Sequence, residues 1–495
     1  MSYEDFQLLR DQKQGEKIIL AKLAKFERNR DYLSAWEKFS RLNGNTYPSQ
    51  GILKTPYDYL DYCGIKKLDK GIVIKTLRMR RFFLEMFNHT DRVSYLYRLN
   101  KQRFIPPPRV RCKSIEIAKE SGISLSVGDF GAVVTSANKN RVSRTERYAH
   151  GPFVKLGRQA RTFFVGSASP DVWNSAAAIA TMAMSHCLAG IPRNGVTSDI
   201  KRQADLAYEA ISWIRKEGDQ ILKDRDDKSD LLKMWQNNLM GTLEANCEKA
   251  VERCKALFEK GVRTFRIYSP EPGNGSLETL TILRKIYKND VEIFVGQVVD
   301  VHQAKAVEKA GADGIFLGIG GGGRCITGVR SGLVIDWPDL TWDLRGEIKI
   351  PIIIEGGASD HIATSLLLGA SGISVSRVAN GGTIESPGGY LYCVDSKGRF
   401  FKPYGGEASA RTKYLDKKLM PFDIPSFVEG ETTAAYKSYI THALPTLVHN
   451  LHILTEDAIL ALVFRGVNTL SELHAINPSP LRQITGFGEF QRNTH

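Results

Sequence analysis

The stretch GADGIFLGIGGGGRCITGVRSG, residues 311–332, places Cys325 directly behind four consecutive glycines, Gly320 to Gly323, at the end of an apolar, strand-like segment. A thiol is a useful nucleophile when it is partly ionised and reachable. A loop of bare backbone amides can stabilise both a thiolate and an incoming phosphate or carbonyl. Glycines in such number weaken any helix or strand they enter, and are tolerated where backbone must approach a ligand closely. The competing reading is a buried cysteine beside a tight strand–helix turn. Other groups that could do chemistry are dispersed. His150, His186 and His302 are isolated, as structural or surface histidines are, whereas Asp171 in ASPDV and Arg193-Asn194 after Pro192 fall in loops that could line a site.

Beyond residue 113 the sequence consists of short apolar runs separated by helical segments. RTFFVGSAS, VRTFRIYS, VEIFVGQVV, DGIFLGIG, IPIIIEGG and SGISVSRVA are six candidate strands. Most are apolar on successive residues, as strands buried on both faces of a parallel sheet are. LEANCEKAVERCKALFEKG, SLETLTILRKIYKN, VHQAKAVEKAGA and HIATSLLLGA read as the helices between them. Repeated βα units over roughly 370 residues predict an α/β fold, a (β/α)8 barrel. Chemistry in such barrels occupies the loops after the strands, where GIGGGGRC, EGGAS and SPEPGNG fall.

The 495 residues are 42% hydrophobic and 25% charged, an ordinary globular composition. No apolar stretch approaches the roughly 20 residues that span a membrane, and the charged N-terminus lacks a signal peptide's apolar region. Seven cysteines without a CxxC pair argue against a disulfide scaffold or a zinc site, so a cytoplasmic protein is expected. The net charge of +14 is uneven: residues 1–113 carry +12 and the rest only +2. KTLRMRR (75–81) with Phe82 and Phe83, then YLYRLNKQRF (95–104), interleaves cations with aromatics. That pattern suits nucleic acid, held by phosphate neutralisation and stacking; a solvated helical face or an oligomer contact would look the same. Residues 1–113 are therefore read as a basic, mainly helical accessory domain, TPYDYLDYCGI and GIVIKTLRMRRFFLEMF being short helices. Pro106 to Pro108 mark a linker or an extended arm before a barrel at 114–495.

The cysteine loop resembles the catalytic loop of the IMP dehydrogenase / GMP reductase family, GxGxGxxCxT being met as Gly318, Gly320, Gly322, Cys325 and Thr327. The similarity covers most of residues 125–495. VGQVVD (295–300) and AGADGIFLGIG resemble the family's VGNVVT and GAD-x4-GIG strands. GSASPDVWNSAAAIATMAMSHCLAGIPRN resembles its SSPMDTV…IHRN region. IIIEGGAS, LLLGAS, ESPGGY, PYGGEASARTKY, FVEGE and ITGFGE then follow in family order.

The resemblance implies a thiolate of Cys325 attacking C2 of a purine nucleotide, with Thr327 and Glu429 handling the proton of a departing ammonia. It implies a substrate site made by Asp171, Asn194, Gly320, Gly322, Glu355, Gly356, Gly357, Ser376, Arg377, Tyr404 and Gly405. Glu355 stands where the family has an aspartate on the ribose hydroxyls, and Ser376-Arg377 where it grasps phosphate. The cofactor-contacting aspartate falls on Tyr268 or Glu271 according to where a gap is placed; the Glu271 alignment also matches Asn274 and Gly275, and Gly296 joins this set. NADPH or NAD is the implied cofactor. Potassium is implied at backbone carbonyls of Gly320, Gly322 and Cys325, as are a mobile flap around residues 385–432 and a homotetramer. The absence of an inserted CBS pair after IPRN, the form of the flap, and Lys413-Tyr414 in place of an Arg-Tyr pair favour the reductase branch. Two other readings stand beside it. One is a cysteine enzyme acting on a guanine-like base of nucleic acid brought by residues 1–113, and the other a non-catalytic binding protein on an inherited barrel.

Overall fold

The computed structural model describes residues 64–484 apart from 124–126, 133–142, 151, 168, 270–273, 320–324, 326, 328–330, 336, 416–418, 421–423, 426–427, 431 and 437–445. The periodic run over residues 1–40 and the turn-rich stretch behind it lie outside the described residues. The chain enters as a strand, β1 (Gly64–Lys67), then helices α1 (Lys70–Phe87) and α2 (Thr90–Asn100). β1 takes the last residues of the segment read as a first helix. α1 begins at Asp69, whose carboxylate accepts the Gly71 N–H at 2.8 Å and so caps the first turn.

Eight parallel strands follow: β2 (Phe164–Gly166), β3 (Ala189–Ile191), β4 (Leu239–Leu243), β5 (Thr264–Tyr268), β6 (Glu292–Gly296), β7 (Gly314–Leu317), β8 (Ile352–Ile354) and β9 (Gly372–Val375). They pair in the order β2-β9-β8-β7-β6-β5-β4-β3. A parallel bridge from Val165 to Leu188, with the Gly166 N–H donating to the Leu188 carbonyl at 2.7 Å, joins the two ends. The helices between them include α3 (Cys247–Glu259), α4 (Gly275–Tyr287), α5 (Val301–Lys309) and α6 (Ile362–Leu368). This is the expected (β/α)8 barrel.

Two of its strands were not among the six candidates. β3 reads AGI before Pro192, so Ile191 is its one large apolar side chain and no run shows. β4 lies partly within the stretch read as helix from Leu243. Its five residues are all buried, and the helix starts instead at Cys247, because the Asn246 side chain caps it by accepting the Lys249 N–H at 3.1 Å.

A four-stranded antiparallel sheet lies beside the barrel: β1, β10 (Leu391–Val394), β11 (Phe400–Gly405) and β12 (Thr432–Tyr436), in that order. The basic segment thus supplies the edge strand of a sheet built mainly from residues 385–436. Leu84, Phe87, Val93, Leu96 and Cys112 belong to the same apolar cluster as the barrel strands. The prolines form an extended arm fixed to the barrel, Pro107 and Pro108 carbonyls accepting from the Gly346 N–H and the Arg345 Nε–H, both at 2.9 Å. The break in charge at residue 113 is therefore not a break in packing.

Several cations of the segment are interior. Arg80 donates to both oxygens of Glu217 at 2.9 Å and pairs with Glu385 at 3.3 Å, all three side chains being fully buried. Arg92 is enclosed by the rings of Phe87, Tyr148 and Phe153, 4.7 to 5.2 Å from its guanidinium, and burial lowers its pKa. Lys75, Arg78 and Phe82 face outward. The last long helix, α7 (Leu447–Arg465), is long and apolar enough to cross a membrane, but Leu447, Leu451, Leu454, Ala458 and Leu462 pack into the apolar core.

Candidate active site

The residues predicted to act converge on the carboxyl ends of the barrel strands. Cys325, beyond β7, is half-buried, and its thiol donates to the Thr327 hydroxyl at 3.1 Å. Its backbone forms an antiparallel bridge with Gly430, which bridges Ser409 as well, and the Glu429 N–H donates to the Ala408 carbonyl at 2.9 Å. Backbone pairing thus brings Cys325, Thr327 and Glu429 into one neighbourhood. Cys112, Cys187, Cys254 and Cys393 are buried instead, and burial pushes the Cys187 and Cys254 thiols up to about 12. Gly318 must be glycine where it leaves β7: its φ is 118°, and a Cβ would lie 2.2 Å from the Glu355 carbonyl oxygen.

The Glu355 carboxylate, beyond β8, accepts four hydrogen bonds from side chains. Arg266 in β5 donates to its two oxygens at 2.9 and 2.6 Å, Gln297 adds its Nε2–H at 2.7 Å and Ser374 its hydroxyl at 3.1 Å. Arg266 is 1% exposed, its guanidinium 3.9 Å from the Phe316 ring and 4.4 Å from Tyr268. Two buried atoms of this cluster have no hydrogen-bond partner among the described residues: Arg266 Nε and Gln297 Oε1.

Gly356 and Gly357 turn at positive φ, 94° and 75°, with the Gly356 carbonyl accepting the Trp337 indole N–H at 2.9 Å. The Ser376 hydroxyl bonds the Tyr404 hydroxyl at 2.8 Å, and burial raises the Tyr404 pKa. Gly405 offers its carbonyl to the Ser169 hydroxyl at 2.9 Å, whereas Arg377 is exposed at the start of a short helix. Asn194 donates to Glu407, which Arg193 also reaches at 3.3 Å. Asp171, beyond β2, accepts the Arg411 Nε–H at 2.7 Å; burial pushes its carboxyl up to about 6 in spite of that guanidinium. These contacts fasten the segment 404–411 across the barrel mouth. None of the three histidines joins it: His186 is buried, its pKa lowered to about 3 by that burial, His302 is exposed, and His150 stacks with Tyr95.

Of the nicotinamide positions, Glu271 lies outside the described residues, Asn274 is exposed at the start of α4, and Gly296 is packed in the wall, where a Cβ would lie 2.6 Å from Phe316 Cβ. Close packing accounts for that glycine. Gly320 and Gly322 of the potassium set also lie outside them. Arg266, Gln297, Ser374, Glu407 and Arg411 were not found in the sequence. A signal existed for Arg266: an arginine inside the otherwise apolar strand TFRIY has to find a buried partner.

A closed parallel barrel with a cysteine loop beyond one strand and a carboxylate beyond the next defines the class of protein. The chain belongs to the IMP dehydrogenase / GMP reductase family, whose domain model matches residues 114–494. It is similar to inosine-5′-monophosphate dehydrogenase of Aquifex aeolicus, 30% identical over 230 residues, 43% of this chain and 44% of that protein. Inosine-5′-monophosphate dehydrogenase 1 of Arabidopsis thaliana is 30% identical over 273 residues, 52% of this chain and 51% of that protein. The Nitrosopumilus maritimus enzyme of the same name is 29% identical over 255 residues, 49% and 51% of the two chains. The chain spans about half the length of these relatives.

Proposed function

We propose that the protein is a purine-nucleotide oxidoreductase acting through a covalent bond between Cys325 and C2 of the purine, in the direction that converts GMP to IMP and ammonia. The observation that carries it is the meeting of a half-buried thiol, a hydroxyl and a carboxylate-bearing segment: Cys325 hydrogen-bonded to Thr327 and paired through its backbone with Gly430, next to Glu429. The Cys325 thiolate adds to C2, and the 2-amino group leaves as ammonia once it has gained a proton. Thr327 and Glu429 deliver that proton. When bound, NADPH would supply the hydride that C2 takes as the carbon–sulfur bond breaks; the family resemblance assigns Glu271, Asn274 and Gly296 to holding it. Lys413 in place of an arginine favours this direction over hydrolysis, because an ammonium does not reproduce a guanidinium. Nucleic acid delivered by the basic segment is less favoured, since Arg80 and Arg92 are interior and Arg81 is paired with Glu85.

Incubation with GMP and NADPH, and separately with IMP and NAD, read at the nicotinamide absorbance, identifies the direction. Cys325→Ala should lose turnover about a thousandfold or more with an unchanged fold. Turnover that survives in Cys325→Ala would remove the thiol from the reaction; turnover with IMP and NAD alone would assign the opposite direction.

A further inference from the structure

Recognition of a sugar diol by a carboxylate needs acceptor sites to spare, because each hydroxyl donates one hydrogen bond and a carboxylate only accepts. A carboxylate offers about four such sites. On Glu355, Arg266 takes two of them, Gln297 one and Ser374 one. A diol could displace Arg266 only by stranding a guanidinium that is 1% exposed and held against Phe316 and Tyr268. The same cluster leaves one acceptor over. Gln297 has to turn its Nε2–H toward the carboxylate, so its Oε1 is the buried oxygen without a partner among the described residues. That oxygen is neutral, so a hydroxyl it accepted would be held more weakly than one on a free carboxylate.

We propose that Arg266 determines sugar specificity: by saturating Glu355 it leaves no carboxylate for the sugar diol, so that 2′-deoxyribonucleotides bind as well as ribonucleotides. This rests on the purine-nucleotide reading above and widens its substrate class to purine 5′-monophosphates of either sugar.

Calorimetric titration of the full chain with GMP, dGMP, IMP and dIMP, without any cofactor, tests it. Ribo- and deoxyribonucleotide affinities should agree within about threefold; a larger preference for the ribonucleotides overturns the proposal. Arg266→Met frees two acceptor sites on Glu355 and should create a ribonucleotide preference of about tenfold. If that variant does not fold, Ser374→Ala frees one site without touching the ion pair and should move the ratio in the same direction. An unmoved ratio in the folded variants overturns the assignment to Arg266. Binding of none of the four nucleotides overturns the purine-nucleotide reading itself, a result separable from a failed sugar ratio.

Discussion

The two ends of the barrel each bury an arginine–glutamate pair, and the pairs are satisfied differently. At the amino ends of the strands, Arg161 donates to both oxygens of Glu292 at 2.9 and 2.7 Å, to Asn238 at 2.9 Å, to the Asn237 carbonyl at 3.0 Å and to the Leu156 carbonyl. Glu292 accepts further from Thr264 and the Arg158 N–H, and these contacts hold its carboxyl below the usual range although burial alone would raise it. Every nitrogen of that guanidinium is used. At the carboxyl ends, Arg266 and Gln297 each keep a buried polar atom without a partner among the described residues. That incomplete cluster lies at the end bearing Cys325, where chemistry sits in barrels of this kind. The two pairs are alike in burial and charge and differ in how completely their hydrogen bonding is satisfied.

Removing the lower arginine should give the largest effect on stability. Arg161→Met strands Glu292 and should lower unfolding free energy by about 3–5 kcal/mol in a denaturant titration, leaving the ribo-to-deoxyribonucleotide ratio unchanged. A shift in that ratio would break the contrast between the two ends. Next comes the tie at the mouth between Asp171 and Arg411. The Asp171 carboxyl rises on folding from 3.8 to about 6, so the native state binds this proton more tightly than the unfolded chain does. The resulting stability is full below pH 3.8 and is lost as pH rises through about 6; it amounts to at most about 3 kcal/mol. Denaturant midpoints measured across that window should fall with pH in the native chain relative to Asp171→Asn. A flat difference would mean that Arg411 fully offsets the burial. The smallest effect is expected on the outer face of α1, where Lys75→Ala and Arg78→Ala should each change stability by no more than about 0.5 kcal/mol. A larger cost would mean that this face is covered.

The parts of the fold that could be read from the sequence were those with a local signal. Six strands appeared as apolar runs and four helices as periodic ones, and Cys325, Thr327 and Glu429 stood in motifs whose order matched a family. β3 carries one large apolar side chain, too few for a pattern, and β4 runs into a helical reading that only the Asn246 cap limits. The charge of residues 1–113 was legible and its meaning was not. Arg80 and Arg92 counted toward a polyanion-binding face, yet their partners Glu217, Glu385 and Tyr148 are distant in sequence. Glu355 was found by its position, and its donors Arg266, Gln297 and Ser374 were not.

By itself the sequence determined the barrel, because a run of buried parallel strands alternating with helices is written in the periodicity of apolar side chains, and it determined which thiol has a glycine loop in front of it. Only the tertiary structure decided which charges are free. Arg266 and Glu355 lie 89 residues apart in sequence, Arg161 and Glu292 131 apart, and β1 joins a sheet whose other strands lie hundreds of residues downstream. A side chain's partner depends on three-dimensional neighbours, and a charge acts on a ligand only when no neighbour has already satisfied it.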